Sequence, residues 1–501
     1  MPVPPADPAP LADPAPTADP APTAASPCPL AVDLDDTLLR TDLLWECLAE
    51  LLKRSPWRFV QVPFWLLRGR AHLKARLAAL APPDIATLPL SVAFMSWLRE
   101  QHAAGRELWL VTAADRALAE AVATHFGFFT GILASDGATN LKGTHKRDVL
   151  LARFGRRGFA YAGDSAADLP VWAEAAEVIV VNARPGLIQQ VRKLGRPGKV
   201  FAPTPPRKRT ILRALRVHQW AKNFLLFVPA VTAHRWTDPS TLPPLLAAFA
   251  AFAATASAVY VLNDLADLRA DRCHPTKLRR PFASGALPVR VGFILAPILF
   301  VIGGFCALAL PAAFAANLAA YILLTWAYTL HLRSVAVVDV VALALLYLLR
   351  LTAGGAVLGI GLSFWLIAFA LFTFLSLGLL KRVLELRLQP DPEGTAGKPV
   401  AGRGYRAEDR IVVSQLGTAA AFTSALVLAL YVHSPDVAQL YARPVFLWGA
   451  CLVQVWWMSR IWLLALRGEV DDDPVVFALK DPASWLALAL LGGLVVLASP
   501  L

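Results

Sequence analysis

Asn263-Asp264-Leu265-Ala266-Asp267-Leu268-Arg269-Ala270-Asp271 decides how the C-terminal half of the chain is read; it follows a long apolar run and precedes Lys277, Arg279 and Arg280. Asp264, Asp267 and Asp271 are spaced 3 and 4 apart, so on a helix their carboxylates share one face. Like charges held that close repel, and at a membrane boundary unneutralised charge is costly. A divalent cation resolves the conflict, and hard oxygen donors suit Mg²⁺ bridging to a phosphate. The stretch therefore implies a helix leaving a membrane and chemistry on a phosphorylated substrate at its surface.

Around it lie about nine apolar segments long enough to cross a bilayer, near 218–234, 242–262, 291–310, 313–330, 337–353, 361–380, 412–432, 444–466 and 484–500. With the N-terminus inside, the loops at 263–290, 331–336, 381–411 and 467–483 face the cytoplasm. They hold nearly every Lys and Arg between spans, whereas the opposite loops have little beyond Arg235 and Arg443. This positive-inside bias places the domain in the inner (cytoplasmic) membrane with its acidic loop on the cytoplasmic side. The net charge of +12 could suit nucleic acid, but the basic residues cluster beside apolar spans and point to anionic lipid instead. The five cysteines have no metal-ligand spacing and read as reduced or buried.

Upstream, residues 1–28 hold three tandem copies of Ala-Asp-Pro-Ala-Pro, which predict an extended, disordered tail. The tail has neither a basic n-region nor an apolar h-region, so no cleaved signal peptide is expected and the next domain stays cytoplasmic. Residues 29–185 alternate short apolar runs (29–32, 108–112, 159–162, 177–182) with helical segments, the pattern of a soluble α/β unit with a parallel sheet. Residues 186–216 form a linker rich in Pro and positive charge, including Arg207, Arg213 and Arg216, which reads as an anchor to anionic lipid.

In the α/β unit, Val32-Asp33-Leu34-Asp35-Asp36-Thr37 places two carboxylates two residues apart at a strand's end, a nucleophile and acid/base pair around one metal. Thr112 ends the next strand with a hydroxyl suited to a phosphate oxygen, and Lys146 can neutralise that phosphate. Asp164 and Asp168 follow a further strand. This ordered set resembles the haloacid dehalogenase-like (HAD) phosphatase superfamily across roughly residues 29–185. The resemblance implies that Asp33 forms an aspartyl phosphate, while Asp35 protonates the leaving group and later activates water. It further implies that Thr112 and Lys146 hold the phosphate, and that Asp164, with Asp168, completes the Mg²⁺ site around Asp33 and Asp35. Lys142 fits the motif lysine less well than Lys146. Residues 41–105 would be a helical cap; its run Trp57 to Leu67, flanked by Lys53, Arg54, Arg68 and Arg70, reads either as cap core or as a surface resting on the membrane.

In the apolar half, His218-Gln219-Trp220-Ala221-Lys222-Asn223 opens the first segment, Tyr328 closes the fourth, and Asp339 and Arg350 lie within the fifth. Lys381 and Arg382 end the sixth, and Asp471-Asp472-Asp473-Pro474 and Asp481 fill the last cytoplasmic loop. Charges inside spans face a protein interior or a watery cavity; Asp339 and Arg350 read as such groups or as a structural polar pair. Lys222, Arg333 and Lys381 are equally readable as snorkelling anchors.

The Asn263-to-Asp271 run, the spans and a second acid at Asp339 resemble the UbiA superfamily of intramembrane transferases, over about residues 210–500. Many members move a polyprenyl group from its diphosphate to an aromatic acceptor, with two acidic motifs holding Mg²⁺ on the diphosphate. Here the second motif is a lone acid, since Leu343 stands four residues after Asp339. Three details resemble the decaprenyl-phosphate phosphoribosyltransferase branch: Gln219-Trp220-Ala221-Lys222-Asn223, the Asp271-to-Pro281 continuation, and Val337-Val338-Asp339. By that resemblance phosphoribosyl diphosphate donates and polyprenyl phosphate accepts. Asn263, Asp264 and Asp267 would bind the Mg²⁺-diphosphate with Asp271 in support, Asp339 would serve the substrate as the second acid, and Lys277, Arg280, Lys222 and Arg350 would bind phosphates.

The expectation is a multidomain chain, an α/β HAD-like domain with a helical cap followed by an all-α polytopic membrane domain over 217–501. Its first reading is transfer of phosphoribose to lipid phosphate, with the fused phosphatase removing the product's phosphate; the alternative is a polyprenyl diphosphate-dependent aromatic prenyltransferase with an accessory HAD domain. A HAD unit serving only as scaffold fits poorly with its intact motif residues. The oligomeric state is left open, a homo-oligomer included.

Overall fold

Six parallel strands form one sheet in a computed structural model of the chain: β1 (Leu30–Val32), β2 (Leu108–Asp115), β3 (Gly131–Ser135), β4 (Ala160–Gly163), β5 (Glu177–Val181) and β6 (Val200–Phe201), in the order β3-β2-β1-β4-β5-β6. The structure describes residues 28–136, 138–194, 198–202, 208–235, 237–387, 404–470 and 473–499. The proline-rich tail apart from Cys28, Arg207 of the linker, and Asp471 and Asp472 lie outside the described residues. The chain divides into two compact units, residues 1–51 with 55–204 and residues 205–501 with 52–54.

The strands are joined through helices α1 (Leu43–Arg54), α2 (Val62–Leu67), α3 (Arg70–Leu80), α4 (Val92–Ala103), α5 (Arg116–Phe126), α6 (Thr144–Phe154), α7 (Leu169–Glu174) and α8 (Pro185–Arg192), since parallel strands need crossover connections. Ala31, Val111, Tyr161, Trp172 and Val178 belong to one core cluster. Strand order reverses at β1, which pairs with β2 on one side and β4 on the other, so loops leaving these strands diverge and open a crevice at their C-terminal ends. Between β1 and β2 the chain makes a helical excursion, α1 to α4, closed at its neck by an antiparallel bridge between Leu39 and Leu90. The sheet outruns the expected end of the α/β unit at residue 185. Val200 and Phe201 pair with Val180 and Val181, so part of the expected linker belongs to the sheet.

The second unit is helical: α9 (Lys208–Ala214), α10 (Val228–Thr232), α11 (Leu242–Ala266), α12 (Leu268–Cys273), α13 (Val289–Leu308), α14 (Ala312–Leu330), α15 (Val338–Leu358), α16 (Phe364–Arg387), α17 (Arg410–Val432), α18 (Pro435–Leu440), α19 (Leu447–Arg467), α20 (Pro474–Lys480) and α21 (Pro482–Ala498). Among the described residues, 7 helices are long and apolar enough to cross a membrane, or up to 8 if α20 and α21, bent by 82° at their junction, count as one span. The expected number, about nine, approximates this count. The first segment, 218–234, is a 3-10 stretch (Val217–Phe227) followed by the five-residue α10. Pro229 cannot donate to a preceding turn, and His234 at φ 54 ends the run. Apolar composition alone could not distinguish such a broken segment from a straight span.

Phe252 and Ala256 of α11, Phe314 and Tyr321 of α14 and Leu346 of α15 share one core cluster; Leu380 of α16, Val413 of α17 and Trp462 of α19 share another. Gly354 on α15 marks a close backbone approach, where a Cβ would lie 2.2 Å from the Leu226 carbonyl oxygen. This absent side chain lets α15 press against the segment carrying Lys222 and Asn223, a use of small residues common between membrane helices.

Candidate active sites

The first site grows from the C-terminal ends of β1, β2 and β4. Asp33 leaves β1 extended and its carboxylate accepts from the Leu34 N–H at 2.8 Å; Asp36 then turns at φ 55. Asp33, Asp164 and Asp168 bring carboxylate oxygens within 4.8 Å of one another. Lys146, from the first turn of α6, lies 3.0 Å from Asp33 Oδ1 and 3.7 Å from Asp168 Oδ1 and donates to the Tyr161 hydroxyl at 2.8 Å. Tyr161 in turn donates to Asp168 Oδ1, while the N–H and hydroxyl of Ser165 hold Oδ2.

Burial pushes Asp33 up to about 6, with Lys146 opposing and Asp168 adding to the rise. Burial, followed by the charges of Asp33 and Asp168, pushes Asp164 up to about 9. Desolvation would lower Lys146, but Asp33 and Asp168 raise it. Three converging carboxylates with one cation between them are a donor set that fits a divalent metal.

Thr112 is fully buried on β2, and its hydroxyl accepts from the Ala114 N–H at 3.0 Å. Asp35 accepts from the Leu43 N–H at the start of α1, which ties this acid to the inserted helices. Burial, then the nearby Asp42, raises its carboxyl well above the ordinary range. Asp35 is not among the three clustered acids; Lys142 is exposed.

Lys74, a residue that sequence reasoning missed, joins this site. From α3 of the insert its ammonium donates to the Ala113 carbonyl at 2.5 Å and to Asn140 Oδ1 at 3.5 Å. With Asp35, Cys47 and Asp115 it lines a small cleft. A single lysine on a short helix carries no motif; only the return of α3 over the end of β2 reveals it.

In the second unit, α11 ends at Ala266 and Asp267 breaks the helix before α12, but Asp271 N still reaches the Asp267 carbonyl at 2.8 Å, so the helical spacing survives. Each motif carboxylate meets an arginine. Arg216 lies 2.5 Å from Asp264; Arg280 bridges Asp264 at 3.2 Å and Asp271 at 2.7 Å; Arg333 reaches Asp267 at 3.3 Å. The repulsion anticipated from the spacing is thus relieved by guanidinium groups. Among the described residues these acids do not converge as Asp33, Asp164 and Asp168 do. Arg216 and Arg333, expected as lipid anchors, serve the acidic face; Arg280 is engaged by carboxylates, and Lys277 stands exposed.

Lys222 lies 3.0 Å from Asp473, and Lys381 lies 3.6 Å from the same oxygen. Burial opposes ionisation of Asp473, but the two lysines hold it down at about 2. Arg350, expected to bind phosphate, spends its donors internally on Asn223 at 3.0 Å, the Leu346 carbonyl at 2.7 Å and the Tyr321 hydroxyl at 3.0 Å.

Asp339, expected to serve the substrate, has 0% exposure, and both its oxygens are engaged. Arg382 Nε approaches one at 2.5 Å and the Tyr405 hydroxyl donates to the other at 2.7 Å. Arg382 also pairs with Glu385 and donates to the Tyr328 hydroxyl at 2.9 Å. Tyr405 further accepts from the N–H of Val337, a β-branched residue held at φ 69. The lone acid is the hub of a buried polar network, where a single-sided deletion is costly. Asp339→Ala is expected to destabilise the chain by about 3–5 kcal/mol, read as a lower melting temperature in detergent. Asp339→Leu combined with Arg382→Met should recover much of that loss; a melting temperature unmoved by Asp339→Ala would contradict the structural role.

Acids gathered at the strand ends of an α/β unit, joined to apolar helices bearing an acidic face, define a membrane-embedded transferase with a fused hydrolase-like unit. The chain belongs to the UbiA prenyltransferase family, whose model matches residues 224–480. Residues 30–172 match the haloacid dehalogenase-like hydrolase model. An uncharacterized protein of Sinorhizobium fredii is 37% identical over 474 residues, covering 94% of this chain and 91% of that protein. The nodulation protein NoeC of Azorhizobium caulinodans is 37% identical over 292 residues, 58% of this chain and 93% of that one. The decaprenyl-phosphate phosphoribosyltransferase of Mycobacterium tuberculosis is 35% identical over 182 residues, 36% of this chain and 60% of that enzyme. The chain is an integral membrane enzyme of the UbiA type carrying a HAD-like domain.

Proposed function

We propose that the helical unit transfers phosphoribose from phosphoribosyl diphosphate to a polyprenyl phosphate, and that the HAD-like unit then removes the product's 5-phosphate. The observation that carries this reading is that Asp339, the lone acid of the second motif, is fully buried with one oxygen on Arg382 and the other on Tyr405. Aromatic prenylation in this family uses two acidic motifs, whereas similarity to a decaprenyl-phosphate phosphoribosyltransferase supports a phosphoribosyl donor. Cytoplasmic placement of the acidic loop, with the chain in the inner membrane, rests on the charge bias of the loops.

In the transfer, an oxygen of the lipid phosphate attacks ribose C1 and the C1–O bond to diphosphate breaks. Asn263, Asp264 and Asp267, with Asp271 in support, would hold Mg²⁺, which supplies charge neutralisation to the departing diphosphate. Arg216, Arg280 and Arg333 would pass from these carboxylates to phosphate oxygens. Lys222 and Lys381, which meet on Asp473, would exchange that carboxylate for the lipid phosphate. In the hydrolysis Asp33 attacks the 5-phosphorus, Asp35 protonates the leaving ribose oxygen, and the aspartyl phosphate is then cleaved by water that Asp35 deprotonates. Lys146 and Thr112 would hold the phosphoryl group, and Asp33, Asp164 and Asp168 would hold the Mg²⁺ that neutralises it. One chain bearing both sites passes the product on at high local concentration.

The test offers the purified full chain, with Mg²⁺, phosphoribosyl diphosphate plus polyprenyl phosphate in one reaction and polyprenyl diphosphate plus 4-hydroxybenzoate in another. A phosphoribosyl or ribosyl lipid is expected from the first. A prenylated aromatic product would instead assign the chain to the aromatic branch.

A further inference from the structure

The helical insert of the HAD-like unit turns apolar residues outward. In the 3-10 turn Pro56–Gln61 and helix α2, Trp57 is 64% exposed, Phe64 64% and Leu67 85%, with Val60 and Leu66 exposed between them. Trp57, Val60, Phe64 and Leu67 recur every three or four residues, so they form one stripe. Trp65 alone in α2 is buried. A cap core would bury the larger set, so this stripe serves something outside the fold.

Its rim says what. Arg68 and Arg70 are exposed just beyond the stripe, and Arg58 stacks on the Trp57 ring with its guanidinium carbon 5.0 Å from the centroid. No acidic residue occurs between Lys53 and Arg76. Bulky aromatic and aliphatic groups ringed by arginine are the composition of a segment that lies in a bilayer interface, with rings among acyl chains and guanidinium groups among phosphates. The same chain carries helices able to cross a membrane, so a bilayer is always near.

We propose that Trp57, Val60, Phe64 and Leu67 insert into the interface of an anionic bilayer and hold the HAD-like unit on the lipid surface. This anchoring is separate from whichever phosphoester the unit hydrolyses. Beyond covering the strand ends, the insert then brings their crevice within reach of lipid-borne headgroups.

The test is photocrosslinking of the full chain in nanodiscs, with p-benzoylphenylalanine at position 64 and, as control, at Glu120, exposed on α5. A lipid adduct at position 64 and none at 120 is expected, with greater yield in phosphatidylglycerol than in phosphatidylcholine. Reversing Arg68 and Arg70 to Glu should reduce the adduct in anionic discs by about fivefold or more per residue, because each basic residue near an anionic surface is worth about 1 kcal/mol. No lipid adduct, an adduct to protein instead, or equal labelling at both positions would overturn the proposal.

Discussion

Asp33→Asn in the full chain is expected to cut phosphate release by roughly 10³-fold or more while leaving lipid transfer at the wild-type rate. The substitution keeps the side chain's shape and an oxygen for the Leu34 N–H, but it removes the nucleophile and its charge. Lys146 keeps Asp168 as a counter-charge and Tyr161 as an acceptor, so the lysine is not stranded. The loss should therefore be chemical rather than a failure to fold. Free phosphate and the mass of the lipid product, measured on one sample, separate the two activities: the product should accumulate heavier by one phosphoryl group. Unchanged phosphate release would remove Asp33 from the reaction, and a parallel loss of transfer would mean that the two units depend on each other.

The parts of the fold legible in the sequence were those set by local pattern. Alternating apolar runs gave the parallel sheet, and the 3 and 4 spacing of Asp264, Asp267 and Asp271 gave the helical acidic face. What stayed hidden were partners brought from far along the chain. Arg216 and Asp264 lie 48 residues apart, Arg382 and Asp339 43, and Lys222 and Asp473 251. No local rule ties an arginine at the end of one span to an acid at the start of another. Asp339 shows the consequence. Its intramembrane position left a substrate group and a structural polar partner both open, and the groups it meets, Arg382 and Tyr405, lie 43 and 66 residues away. The break within the first expected segment was hidden for a related reason: hydropathy averages over Pro229 and cannot register that the backbone changes helix type beside it.

Asp264→Asn is expected to lower lipid transfer by roughly 10²–10³-fold, the size typical of losing one charge-stabilising group at a transition state. Asp264 is a shared acid, since Arg216 and Arg280 both rest on it. With the carboxylate gone, Arg280 retains Asp271 and Arg333 retains Asp267, so ion pairs persist along the face and the helix break at Asp267 is untouched. Added Mg²⁺ should restore transfer only at concentrations well above those sufficient for the unaltered chain, because one hard donor has been replaced by a weaker one. Hydrolysis of a small soluble phosphoester should not change, since that chemistry belongs to Asp33 and its neighbours in the other unit. The contrast with Asp339 makes the experiment decisive: Asp264→Asn should lose activity with little loss of melting temperature, whereas Asp339→Ala should lose melting temperature first. Were Asp264→Asn to transfer at the wild-type rate with the same Mg²⁺ dependence, the acidic face would be a structural arginine cradle and the metal would have to sit elsewhere.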